Sequence, residues 1–451
     1  MRDRNQRYLE LLRKNQQLWQ AAAKIEKDSP AKNAVERVMA QVGGPVIYLY
    51  VSWVIQNAMD KNIKRLYFLA RDGQIFYEVA KIICKYGNLD LECRYLYCSR
   101  LAWRVPCYWL TGEKCLDQIC QRSMNLTIKK IFDRTLLSEE KSRAIAEKLG
   151  FSNADMLRIL DHGETESIKE KLRMSPFFMQ AVFEKSREEF EKANKYLLQE
   201  GLQEGVKFAI VDTGWVGSMQ RNLRELLEYQ NQNQVQIEGF YFGMFRQPET
   251  DKQFYHTYLF SGKKGLWRKA TFNNNLLECM CGATDGMTIG YEEKDGLFQP
   301  RFANSENINS GRWDVKENHR IVCRFAEAVS SEYGFLKIPH EESKKISSCL
   351  MKAFMMTPTK AEAESFGKYL FSDDMTENGL LELAPYLTQR ELFGEDFIPK
   401  VWKRLFVRNT KKRQTKSYWI EGSISRNGSW LAPWHRMNGL VWHLLQFGLY
   451  N

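Results

Sequence analysis

The chain is poor in histidine, with six among 451 residues, and none of its ten cysteines stands in a C-x-x-C pair. Zinc sites built from Cys and His therefore lack their ligand spacing, and the C-x-C formed by Cys279 and Cys281 is a weak metal signal. The cysteines read as free thiols of a reducing compartment. The basic N-terminus is followed by no apolar stretch, so no secretory signal is expected. A charge-free run over 42–59 carries Pro45, Ser52, Gln56 and Asn57, which suits a buried helix better than a membrane span. Several catalytic signatures are missing as well. There is no G-x-x-x-x-G-K-[ST] phosphate loop, no G-x-S-x-G elbow and no H-E-x-x-H. The D-x-D-x-T/V opening of haloacid-dehalogenase phosphatases and the D-x-D of ordinary nucleotide-sugar transferases are missing too.

What is present fits a globular protein. Hydrophobic residues make up 44% and charged residues 27%, enough for a sizeable core. The length allows roughly two to four lobes. Aromatics reach 13%, with 12 Trp, which serve core packing and can serve sugar or membrane surfaces. A net charge of +11 favours polyanionic partners, whether nucleic acid, phosphorylated small molecules or an anionic membrane face; the bland alternative is solubility.

Residues 1–40 have helical character, broken at Ser29-Pro30, and 43–59 follow as a core helix. A short apolar run at 65–70, the polar Arg71-Asp72-Gly73 and helical spacing over 75–83 make a strand–loop–helix unit. A second strand is expected at 93–98. Residues 125–200 are charged and helical, divided at Ser175-Pro176, and read as an inserted lobe that recognises an acceptor or merely caps the core. Strand character returns at 206–212 and 236–242, with a helix at 219–229 between them. Residues 301–451 read mainly as helices. The expected fold is α/β: a largely parallel sheet with helices on both faces, an inserted helical lobe and a helical C-terminal region. The α/β core would comprise 41–124 and 201–300.

Four segments are candidates for chemistry. Asp212 closes a buried strand and is followed by Thr213, Gly214, Trp215, Gly217 and Ser218 before a helix. Glycines there would let the backbone approach an anion, and N–H groups at the helix start would hold phosphate oxygens, with hydroxyls from Thr213 and Ser218. The alternative is a tight turn with Ser218 as a plain cap. Arg71, Asp72 and Gly73 also follow a strand, in the position where doubly wound sheets bind ligands; otherwise Arg71 and Asp72 pair to stabilise the loop. Ser99 and Arg100 follow the next strand, and Arg104 shares a helix face with Arg100. Finally, Asn273, Asn274 and Asn275 precede Glu278, either as a capped loop or as readers of sugar hydroxyls with Glu278 as acid or base.

In this order, the Gly44-Pro45 helix with Trp53, the 66–73 segment, 95–100, 211–220, and Leu276-Leu277-Glu278 through Gly290-Tyr291 resemble the phosphoribosyltransferase domain of bacterial dual-domain ribofuranosyltransferases. The similarity runs from about residue 40 to about 300 and is weaker in the helical tail. The resemblance implies transfer of 5-phosphoribose from phosphoribosyl pyrophosphate to a hydroxyl of a growing surface glycan. It further implies that a phosphatase removes the 5-phosphate. No phosphatase half is present in this sequence, so a separate phosphatase is expected.

On that footing Asp72, Asp212 and Glu278 are the catalytic candidates, with Asp72 and Asp212 also candidate Mg²⁺ ligands. Arg71, Gly73, Ser99, Arg100, Thr213, Gly214, Gly217 and Ser218 are candidates for the donor's phosphates, and Asn273, Asn274 and Trp215 for the sugar acceptor. Displacement at C1 would invert the anomeric centre and pass through an oxocarbenium-like state. Localisation would be cytoplasmic. A lipid-linked acceptor would bring the chain to the inner membrane face, with basic residues at 400–416 and the nearby Trp402, Trp430, Trp434 and Trp442 as the contact.

Two other function classes remain in view. A phosphoribosyltransferase acting on a non-glycan acceptor such as a base would call for two adjacent acids in its donor loop, whereas Asp212 is followed by Thr213. A non-catalytic phosphate- or nucleic-acid-binding protein would call for a continuous basic stripe, which the mixed charge of 125–200 disfavours; no nucleic-acid partner is expected.

Overall fold

In the computed structural model, β1 (Arg65–Leu69) is buried at every position, the pattern of a parallel strand covered on both faces. Residues 6–123, 125–231, 235–262, 264–310, 313–377, 380–406 and 417–449 are described. β2 (Glu92–Leu96) lies on one side of β1 and β3 (Phe208–Trp215) on the other, followed by β4 (Glu238–Met244) and β5 (Tyr255–Thr257). All five strands are parallel, in the order β2-β1-β3-β4-β5. The protein is thus α/β with helices on both faces of a parallel sheet, as the alternation of strands and helices in the sequence requires.

The two-residue period of the strands sorts their side chains into two cores. Leu66, Phe68, Val211 and Phe240 pack with the Gly44–Asp60, Gly73–Gly87 and Val315–Tyr333 helices. Tyr67, Leu69 and Ile210 pack on the opposite face, against the Pro176–Gln199 and Ser218–Asn231 helices.

Pro45 stands at a junction inside a continuous helical stretch, where the π-helical turn Met39–Gly43 runs straight into the Gly44–Asp60 helix. Among the described residues, one helical stretch, Ala34–Asp60, is long and apolar enough to cross a membrane, and 94% of its apolar window is buried inside the fold. Its Tyr50 hydroxyl lies 2.9 Å from the Asp212 carbonyl and 3.0 Å from the Phe240 carbonyl. A core helix is thereby fastened to the carboxyl ends of β3 and β4, where a lost partner would leave buried carbonyls unsatisfied.

Between β2 and β3 come the Ile128–Asp133, Glu139–Lys148, Asn153–Leu157, His162–Arg173 and Pro176–Gln199 helices. They share an apolar cluster of their own that includes Leu116, Ile131, Phe132, Leu172 and Phe178. The last helix starts where Ser175-Pro176 divides the sequence, with the Ser175 hydroxyl accepting the Phe178 N–H at 3.3 Å. Beyond β5 lie mainly helices, together with two antiparallel pairs absent from the sequence reading. These are β6 (Thr288–Lys294) with β7 (Leu297–Phe302), and β8 (Leu370–Phe371) with β9 (Leu381–Glu382). Two-residue strands are too short to show a period.

Candidate active site

The chain passes from β1 to β2 on one side and later returns to place β3 on the other, so the strand order reverses between β1 and β3. Open parallel sheets bind ligands in the crevice beyond the carboxyl ends of the strands at such a reversal. A cavity of about 330 Å³ opens there. Arg71 and Asp72 reach it from the end of β1, Ser99 and Arg100 from beyond β2, and Asp212 through Trp215 from β3. Ser218, Asn274 and Glu278 complete this wall. The register sets Phe68 opposite Val211, and just past it the Thr213 hydroxyl donates to Asp72 Oδ2 at 2.8 Å, tying the two strand ends across the reversal.

Several residues do not sit as the sequence led us to expect. The turn expected at 213–218 is shorter, because β3 continues through Trp215 and Gly214 pairs with Gly243 of β4. Gly214 is required by that pairing: at φ 120°, a Cβ would stand 2.1 Å from the Gly243 carbonyl oxygen. Its smallness serves strand packing, and its backbone also lines the cavity. Gly73 and Gly217 lie outside the cavity wall; a Cβ on Gly73 would meet Phe68 and one on Gly217 would meet Tyr255. Asn273 is not a sugar reader. Its Oδ1 accepts the Leu276 N–H at 2.9 Å as a helix cap and its Nδ2 donates to the Tyr418 carbonyl at 2.9 Å, away from the cavity. Asn274 does line it. The Ser99 hydroxyl, also on the wall, caps the Arg100–Arg104 helix through the Ala102 N–H at 3.0 Å and donates to the Thr288 carbonyl at 2.6 Å. Arg71 pairs with Glu377 rather than closing a loop pair with Asp72.

Trp215 deserves its own account. It holds φ at 130°, a conformation that non-glycine residues rarely adopt. In that pose its indole lies against Phe245 and Phe272, and its Nε1–H donates to Glu278 Oε1 at 2.5 Å. The backbone strain therefore orients the Glu278 carboxylate toward the cavity from the Asn274–Met280 helix.

The electrostatics of this wall are uncompensated. Burial, with Asp72 next in weight, pushes the Asp212 carboxyl up to about 8, and backbone N–H groups of Thr213 and Gly214 offset only part of that. Burial and the charge of Asp72 push Glu278 up to about 7, against the pull of Trp215, Arg100 and Arg71. Asp72 is raised too, by burial first, despite Thr213, Arg71 and Arg100. Burial followed by repulsion from Arg100 lowers Arg104 to about 10. On this wall alone, the carboxyl groups of Asp72, Asp212 and Glu278 share one small space with the guanidinium groups of Arg71, Arg100 and Arg104. Carboxyls poised near neutrality are suited to proton transfer, and crowded ones favour a cation. Among the described residues no group of three or more His, Cys, Asp or Glu side chains converges as a metal cage. Mg²⁺ needs less: it is held by one or two carboxylates, with substrate phosphates and water supplying the rest. The Asp72 and Asp212 carboxyls, both raised first by burial and both lining the cavity, fit that requirement.

The opposite wall was not anticipated. Tyr369 approaches from just before β8 and Asp373, Asp374 and Glu377 from the segment after it, with Asn307 and Asn309 beside them. Asp374 is fixed by the fully buried Arg134, whose Nη2 donates to it at 2.5 Å and to Ser123 Oγ at 2.9 Å. Burial would raise Asp374, but Arg134 outweighs it and the carboxyl falls to about 2. The adjacent acids Asp373-Asp374 were the one visible signal in this stretch. With Asp374 spent on Arg134, they do not form the paired-acid donor loop of a base-specific phosphoribosyltransferase.

Fold and site together define a parallel α/β protein with a cleft of guanidinium and carboxyl groups at its sheet reversal. No family model matches the chain, and no curated protein is significantly similar to it in sequence.

Proposed function

We propose that the protein is a glycan phosphoribosyltransferase, moving 5-phosphoribose from phosphoribosyl pyrophosphate to a hydroxyl of a polysaccharide acceptor. The observation that carries this reading is the convergence of Asp72, Asp212 and Glu278 with Arg71, Arg100 and Arg104 around a cavity at the β1–β3 reversal. The donor has phosphate at both ends of a small sugar, and guanidinium forks match phosphate oxygens. Arg71, Arg100 and Arg104 would take these groups, with the Ser218 helix start contributing N–H donors. Mg²⁺ held by Asp72 and Asp212 would neutralise the pyrophosphate as it leaves.

In the transfer, the acceptor oxygen forms a bond to C1 and the bond from C1 to the pyrophosphate oxygen breaks, so the configuration at C1 inverts. The acceptor proton goes to a carboxylate of the site. Glu278 is suited to that role, because its value of about 7 leaves it partly ionised at neutral pH while still basic enough to take the proton. Asp72, bonded to Thr213, and Asp212 face the donor side from the strand ends. Asn274 and Trp215 are placed to meet acceptor hydroxyls. A separate phosphatase would then remove the 5-phosphate. The expected basic membrane contact at 400–416 lies, beyond its first residues, outside the described residues.

Calorimetric titration of the full chain with phosphoribosyl pyrophosphate and Mg²⁺ tests this. Micromolar binding, weakened about tenfold or more by Arg71→Ala and by Asp212→Asn, is the expected result. A folded wild-type protein that fails to bind the donor, with and without candidate glycans, would overturn the proposal.

A further inference from the structure

The last helix of the described chain, Ala432–Leu449, packs Phe447 against Phe245 yet leaves a second apolar stripe exposed. Trp430 just before it and Trp434, Met437, Val441 and Leu445 along it are 85, 48, 55, 37 and 38% exposed. Their spacing of three and four residues puts them on one stripe. The polar groups of the same helix point inward. His435 contacts Asp396 Oδ1 at 2.9 Å, His443 the Ala270 carbonyl at 3.2 Å, and the Arg436 guanidinium donates to Ser425 Oγ at 2.6 Å. A solvated helix presents charge outward and buries its apolar stripe, so this stripe is a face without its partner among the described residues.

The charge of the surrounding sequence says what the partner is. Residues 397–451 contain ten Lys or Arg and one acid, Glu421, and so carry nine of the chain's net +11. A second copy would bring two such segments together and be repelled. An anionic bilayer surface would be attracted, and it accepts what this stripe offers: tryptophans at headgroup depth and aliphatic side chains below them.

We infer that the exposed face of the Ala432–Leu449 helix, led by Trp430 and Trp434, docks the protein in the plane of an anionic lipid surface. The helix lies on the membrane and does not cross it. The inference is independent of the phosphoribosyl reading, since none of the stripe residues lines the cavity.

Flotation of the full chain on a sucrose gradient tests it. Vesicles of phosphatidylcholine alone would be compared with vesicles containing an equal share of phosphatidylglycerol. The protein should float with the anionic vesicles, stay behind with the neutral ones and be released as salt rises. Trp434→Glu with Val441→Glu should lower partitioning about tenfold or more, with the circular dichroism melt unchanged because both side chains are exposed. If that pair unfolds the protein, Trp430→Ser, outside the helix, should still lower partitioning several-fold. Absence of flotation with anionic vesicles, or equal flotation of the folded variants, overturns the inference. So does a dimer in sedimentation that the double variant converts to monomer, since a second copy would then cover the stripe.

Discussion

Two aspartates on opposite walls of one cavity have opposite fates. Asp374 and Asp212 are both withdrawn from water, and burial alone would raise both. Arg134 and Ser123 reverse that for Asp374 and bring it to about 2. Asp212 receives backbone N–H groups but faces Asp72 and Glu278, and it rises to about 8. The buried charge that finds a full set of partners holds the helical lobe to the segment after β8. The one denied them is left able to change its protonation near neutral pH. Burial alone therefore does not mark a functional carboxylate; burial without a committed cation does.

The largest effect should come from breaking the compensated side. Asp374→Ala leaves Arg134 buried and unpaired and should cost about 3–5 kcal/mol, read by urea denaturation. The uncompensated side should respond in the other direction. The folded value of Asp212 lies above its ordinary 3.8, so its contribution to stability is intact below that pH and is lost as pH rises toward about 8. In the ligand-free protein, Asp212→Asn should therefore stabilise by about 1–2 kcal/mol at pH 8 and have little effect at pH 4, as thermal melts across pH would show.

A smaller change is expected at the group that orients Glu278. Trp215→Phe removes the indole donor and should cost about 1 kcal/mol, while moving the titration of Glu278 further upward from about 7 in a carboxyl-resolved NMR titration. The smallest effect concerns Arg71. Glu377 occupies that guanidinium when no anion does, so Glu377→Gln should tighten phosphoribosyl pyrophosphate binding about threefold by calorimetry. Weaker binding would instead mean that Glu377 holds Arg71 in place.

Much of the first wall was legible in the sequence because its logic is local. Short apolar runs within 65–70 and 206–212 read as covered strands, and the residues that follow a parallel strand lie at the ligand end of the sheet. Arg71, Asp72, Arg100 and Asp212 followed from that rule. Glu278 was singled out through family resemblance and its place at a helix start. The second wall was not legible. Arg134 and Asp374 are separated by 240 positions, and nothing in either neighbourhood points to the other. The strand pairing of Gly214 was not legible, because a glycine kept for a passing strand and one kept for a phosphate look alike until Gly243 is seen beside it. Asn273 was misread because an asparagine at a helix start serves equally as cap and as ligand, and only the Tyr418 carbonyl decides between them.

The pairing of β1 with β3 also bears on how the protein acquires its native state. β1 is made early, but its second neighbour follows the whole helical lobe, and Glu377 comes later still. The carboxyl groups can converge only after long stretches of chain have closed into loops, a topology that folds slowly. A nascent chain that has emerged only as far as the lobe can form the local β1–β2 unit but none of the cleft. The site should therefore be among the last parts of the molecule to form, and refolding followed by donor binding should lag behind refolding followed by helix content.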